Sequence, residues 1–149
     1  MSSALHLATG TDFKALEGLV VAFHAEMHIT TDTAHRHAAL MPLLEGSPYG
    51  AAYLIGPRRA PVGYIVVTFT WSVEFGGMEA TLDEVYIRPN VRGKGMASQA
   101  LIVLCQTLEK NGIMGISLEV DKDDLATQKL YTRMGFLIRE RFALMTRKA

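Results

Sequence analysis

The stretch VRGKGMA, residues 91 to 97, brings an arginine, a lysine and two glycines to the start of an apolar helical pattern. It directly follows LDEVYIRP, which alternates like a strand. Residues of these types in this order can bind an anion. The first N–H groups of a helix lack intrahelical partners and carry a partial positive charge. Glycine at 93 and 95 lets the backbone approach a ligand with no Cβ in the way, and Arg92 and Lys94 add full charge. Diphosphate suits such a cradle. The same residues also make an ordinary strand-to-helix turn, in which glycine meets a dihedral need and the cations face water. Two phosphate loops are excluded: no GxxxxGKS/T occurs, and a GxGxxG reading fails because position 98 is Ser98.

Two other constellations could do chemistry. His24 and His28 in HAEMH stand four apart, a spacing that can share a metal on one helix face. The pattern is not HExxH, since Glu26 does not directly follow His24, and no third ligand is evident, so no metal is expected. Cys105, the single cysteine, lies in the apolar run ALIVLCQTL and reads as a small buried hydrophobe. It excludes an internal disulfide.

The elements that must position these residues fit one domain, 1–149, long enough to bury a core. Lys+Arg and Asp+Glu balance at 15 each, so bulk charge points to neither nucleic acid nor an anionic membrane as partner. No signal peptide or run of ~20 apolar residues is seen, and a cytoplasmic location is expected. After a short strand in ALHLAT, Thr11 or Asp12 could cap a helix through about His28, with Phe13, Leu16, Val20, Phe23 and Met27 on one face. A second helix through AHRHAALMPLL should break or end near Pro42. AAYLI, VGYIVVTFTW and MEATLDEVYI read as strands, followed by a helix from Ala97 to Leu108, the strand GISLEV, a helix in DLATQKLYTRM capped by Asp123 or Asp124, and one or two strands in FLIRERFALMTR. This is an α/β chain with a mixed sheet and helices on both faces.

VYIRPNVRGKGMA resembles the cofactor loop of the GCN5-related N-acetyltransferase (GNAT) superfamily, Q/R-x-x-G-x-G/A, with Arg92, Gly95 and Ala97 at the defined positions. LEVDKDDLATQKLYTRMGF is similar to the family's second signature through Ala126, Leu130, Tyr131, Gly135 and Phe136, with Asp123 where Asn is more usual. The resemblance implies the acyl-CoA N-acyltransferase fold: a mostly antiparallel sheet with a parallel strand pair, MEATLDEVYI and GISLEV, splayed to admit acetyl-CoA as co-substrate. Backbone groups of Val85, Tyr86 and Ile87 would pair with the pantetheine arm. The N–H groups of Arg92, Gly93, Lys94, Gly95, Met96, Ala97 and Ser98 would hold the diphosphate, with Asp123, Ala126 and Tyr131 also at the cofactor.

The resemblance also implies an N-acetyltransferase acting by direct attack in a ternary complex, since Cys105 offers no acyl carrier. Tyr131 falls at the place of the general acid, and a phenol with pKa about 10 stays protonated at neutral pH. For the base, strict alternation puts Asp83 on a face with Thr81 and Val85, and Glu84 on the other with Tyr86; Asp83 is the first candidate, Glu119 the second, Glu84 the third. Glu26, Asp32, Glu74 and Glu79, with Tyr49, Trp71 and Phe75, could receive an ammonium group or form a solvated rim. The expected acceptor is a small-molecule primary amine. A peptide or protein amine, or a non-catalytic acyl-CoA-binding module, are the alternatives, and homodimerisation is a family tendency.

Overall fold

The computed structural model describes residues 5–149, and the chain divides into two compact units, Met1–Glu119 and Val120–Ala149. The first holds β1 (Leu5–Leu7), α1 (Phe13–Glu26), α2 (Thr33–Leu44), β2 (Gly50–Ile55), β3 (Gly63–Ser72), β4 (Gly77–Ile87), α3 (Met96–Lys110) and β5 (Gly115–Leu118). The strands form one sheet in the order β1-β2-β3-β4-β5. Neighbours are antiparallel except β4 and β5, which run parallel. Among the described residues, no helix is long and apolar enough to cross a membrane.

Alternation along the strands builds two apolar layers. Ala52, Leu54, Tyr64, Val66 and Tyr86 pack with Leu16, Leu19 and Val20 of α1 and Leu40 and Leu44 of α2. The intervening residues Ile55, Ile65, Val67 and Leu82 are buried as well, and α3 lies against β1, β2 and β4 with Ala100, Leu101, Leu104 and Leu108 buried. Close approach of β3 to β4 is needed at Gly63, where a Cβ would collide with the carbonyl oxygen of Tyr86. α4 (Leu125–Arg133) is the helix of the second unit.

Four local expectations change. α1 is preceded by a 3-10 turn, and the Asp12 carboxylate reaches back to accept the Thr9 N–H at 2.8 Å instead of capping forward. The helix stops at Glu26, and His28 sits at φ 58, the left-handed position that glycine usually fills after a helix. His24 and His28 are therefore not a helical i, i+4 pair. α2 runs through Pro42 to Leu44, because in the last turn the missing N–H forfeits only the bond to the Ala38 carbonyl. Residues 136–147 form no strand: Leu137, Ile138, Phe142, Leu144 and Met145 are exposed, and their alternation meets no ladder partner or apolar surface that would make it a strand.

A fifth change bears on the site. The register between β3 and β4 shifts, so that Val66 faces Glu84 while Val67 faces Leu82. Asp83 is the extra residue of a β-bulge. Alternation breaks there: Thr81, opposite Thr68, lies on the α1–α2 face together with Glu84 and Tyr86, rather than sharing a face with Val85.

Because a non-glycine residue pays for the left-handed conformation at His28, the His28→Gly variant is expected to gain about 0.5–1 kcal/mol of stability, seen as a higher urea midpoint at unchanged slope.

Candidate active site

The β4–α3 loop is built for close approach. Gly93 and Gly95 have φ 78 and 80, and a Cβ on either would meet nothing within 4 Å, so the space in front of the backbone is open. Gly95 is the N-cap of α3 and no side chain caps that end. The N–H groups of Met96, Ala97 and Ser98, in the first turn, thus lack intrahelical acceptors. Arg92 is placed differently. Its N–H donates to the Pro89 carbonyl at 3.2 Å, its Nε to the Ile87 carbonyl at 2.8 Å, and its Nη2 to both oxygens of Glu26 at 2.9 and 3.0 Å. The guanidinium also lies 5.5 Å from the centre of the Tyr86 ring. Lys94 is exposed.

Beside this loop the sheet opens. β4 and β5 pair from Glu79↔Gly115 to Leu82↔Leu118 and no further, while β4 continues to Ile87. Asp83 and Glu119 are the first residues beyond the last pair. Both side chains reach solvent, but Asp83 leaves from a packed strand, and the partial loss of water around its carboxyl, then the negative charges of Glu84 and Glu119, raise it above its ordinary pKa. The Arg88 N–H donates to the Val62 carbonyl, so by alternation Tyr86 also turns its backbone groups into β3, and Val85 and Ile87 direct theirs to the open edge.

Glu84 points the other way, under α1. Its Oε1 accepts the Tyr64 hydroxyl at 2.7 Å and its Oε2 lies 2.8 Å from Nε2 of His24. The His24 and Glu84 side chains are 14% and 22% exposed. Phe23, Tyr64 and Tyr86 surround them, with ring centres 5.5–6.2 Å apart. Burial and the neighbouring Glu84 charge push the Tyr64 phenol far up, which keeps it a hydrogen donor at every ordinary pH. Nδ1 of His24 is shut off from solvent and has no hydrogen-bond partner.

In the second unit, Tyr131 packs edge-on against Phe136 at 5.7 Å, and burial and the Asp124 charge raise its pKa. Asp124, not Asp123, caps α4 by accepting the Thr127 N–H at 3.1 Å; Asp123 is exposed in the preceding turn, and Ala126 is exposed on the helix.

A bulge and splay between parallel strands, beside a glycine loop that opens a helix, accord with one family model. The acetyltransferase (GNAT) family model matches residues 20–136. The chain belongs to the GNAT acetyltransferase family. Its fold, a mixed sheet with a parallel β4–β5 pair, is shared with proteins of known structure. An integron cassette protein from the mobile metagenome of Cole Harbour Salt Marsh is 29% identical, with a TM-score of 0.86 over 98% of this chain and 91% of that one. A candidate acetyltransferase from Arthrobacter sp. FB24 is 28% identical, with a TM-score of 0.79 over 91% and 86%. An aminoglycoside acetyltransferase from an uncultured soil metagenomic sample shares the fold at 13% identity, with a TM-score of 0.78 over 97% and 95%. Comparison with curated proteins gives no match.

In this GNAT chain several acidic residues proposed for an ammonium group have structural partners. Glu26 holds Arg92, Asp32 caps α2 through the His35 N–H, and Glu79 accepts from Ser117. Conversely, His24 and Tyr64 join Glu84 although they lie 60 and 20 residues from it in sequence. No motif spacing announces them.

Cys105 is half-buried on α3, where burial and Glu109 push its thiol up to about 11. At pH 8 roughly one thiol in a thousand is then the thiolate, so alkylation by iodoacetamide should run about a hundredfold slower than for free cysteine.

Proposed function

We propose that this chain transfers the acetyl group of acetyl-CoA to a primary amine of a small molecule, by direct attack within a ternary complex in the cytoplasm. The observation that carries the reading is the juxtaposition of an uncapped helix start, fronted by two left-handed glycines with open space before them, and a strand edge left unpaired beyond Leu82. A diphosphate fits the first and an amide-bearing arm fits the second. Gly93 through Ser98 would hold the phosphates, and Val85 and Ile87 the arm.

Acetyl-CoA, when bound, supplies the acetyl group as a thioester and departs as a thiol. The chain's own residues supply the rest. The N–H of Val85, facing the open edge, would stabilise negative charge developing on the acetyl oxygen without rearranging. Tyr131, its phenol held neutral by burial, would donate a proton to the departing sulfur. Arg92 can add its charge to the phosphates at small cost: its ion pair with Glu26 joins side chains 44% and 42% exposed, and such pairs contribute about 0–1 kcal/mol. The acceptor would come to the α1 side of β4, where Glu84 is recessed and suits a slim ammonium-bearing chain end. Cys105, with its suppressed thiolate, supports direct transfer over a covalent acyl-enzyme.

Calorimetry should show coenzyme A binding to the wild-type chain. Gly95→Val, strained at φ 80 and filling the space before the loop, should weaken it at least tenfold while leaving the unfolding transition cooperative. Equal affinity in the two proteins would remove the cradle. A thiol-release screen with acetyl-CoA against polyamines, aminoglycosides, amino acids and short peptides identifies the acceptor, and turnover confined to peptides would replace the small-molecule reading. With the best amine, Tyr131→Phe should lower kcat about a hundredfold with coenzyme A affinity within twofold. Unchanged kcat would withdraw the acid role.

A further inference from the structure

The first compact unit contains five arginines, and three of them hold carboxylates: Arg36 meets Glu17, Arg58 meets Asp12 and Arg92 meets Glu26. Among the described residues, the guanidinium groups of Arg59 and Arg88 have no hydrogen-bond or ion-pair partner. These two arginines line the same cavity, of about 440 Å³, together with Asn90, and no carboxylate lines it. The remaining walls are apolar, Pro61, Val62 and Val91 among them. Backbone bonds fix those walls: the Val62 N–H donates to the Ile55 carbonyl at 2.8 Å, and the Val62 carbonyl accepts the Arg88 N–H at 2.8 Å. Arg58 ties the β2–β3 connection to the Leu7 carbonyl at 2.6 Å and to Asp12. Two cations at one cavity repel each other, and an anion between them turns that cost into attraction.

We propose that this cavity is a second ligand site, separate from the glycine loop, that takes a small phosphate monoester. A phosphate monoester carries close to two negative charges at neutral pH and offers several acceptor oxygens. Two arginine forks match that charge and that geometry, and the Asn90 amide can donate as well. The apolar walls then cover the organic part of the ester, and the volume is in the usual range of small-molecule sites, about 300–1,000 Å³. None of Gly93 to Ser98 lines the cavity. Ala15, which does, belongs to α1, on the face of the sheet opposite α3. The site is therefore distinct from the helix start at Gly95, although Arg88 to Val91 lead directly into that loop.

Titration of the nitrogen-15-labelled wild-type chain with phenyl phosphate tests the site. The amide signals of Ala60, Val62, Asn90 and Val91 should move saturably, while those of Gly93 to Ser98 move little. Inorganic phosphate, which lacks the ring, should need about tenfold higher concentration, and benzyl alcohol, which lacks the charge, should leave the signals in place. Arg59→Ala and Arg88→Ala should each weaken phenyl phosphate at least tenfold with the urea midpoint unchanged, since neither side chain has a partner to lose. Movement confined to Gly93 to Ser98, or undiminished binding to the double variant, overturns the site. Equal affinity for inorganic phosphate overturns the ester. A repeat with coenzyme A present separates the sources of the phosphate. Phenyl phosphate that still binds supports an independent site, whereas displacement by coenzyme A but not by its form lacking the 3′-phosphate overturns that independence.

Discussion

One extra residue in β4 governs the arrangement. Asp83 has no opposite number on β3, and the strand that follows is turned over with respect to the strand before it. Leu82 faces the α3 layer, Glu84 faces α1, and pairing with β5 ends at the same step. A regular strand would have placed 82 and 84 on one face and offered β5 a continuous ladder. The bulge therefore opens the edge that can take a cofactor arm and aims a carboxylate at the opposite side of the sheet, where an acceptor can approach. Bulges in functional strands re-aim side chains and terminate pairing, and this one does both.

The helix over Glu84 is held to β4 by unequal contacts. Near its end His24 meets Glu84 among three aromatic rings, and in that low-dielectric setting the hydrogen bonds are strong and their geometry fixed. At its last residue Glu26 meets Arg92 in water, where the same kind of charge pairing contributes little. One end of the contact is thus rigid and the other yields. The firm end lies at Glu84 and the yielding one at the β4–α3 loop.

Much of the fold was legible. Strand alternation in GYIVVTFTW and MEATLDEVYI, the apolar stripe from Ala100 to Leu108 and the loop glycines all express local rules that act within a few residues. The bulge did not show, because LDEVYI alternates acceptably in either register and only the facing strand determines which residue is extra. His24 was read as part of a histidine pair on one helix, yet α1 stops at Glu26 and its partner is a carboxylate on a distant strand. Tyr64 is a core aromatic that no motif singled out, and its hydroxyl gains meaning only from Glu84. The C-terminal run FLIRERFALM carries a strand pattern with no surface to fold against. Site chemistry that depends on contacts across the chain is what a linear pattern conveys least.

Arg92 shares one positive charge between Glu26 and any anion that reaches the loop. Any anion that draws it from Glu26 gives up that contact, and any change that tightens the Glu26 contact must discourage the anion by the same free energy, since coupling between two equilibria is reciprocal. That ion pair joins the β4–α3 loop to the end of α1, two residues after His24. The exchange is bounded by the strength of one exposed ion pair, so each side can bias the other by about 1 kcal/mol at most.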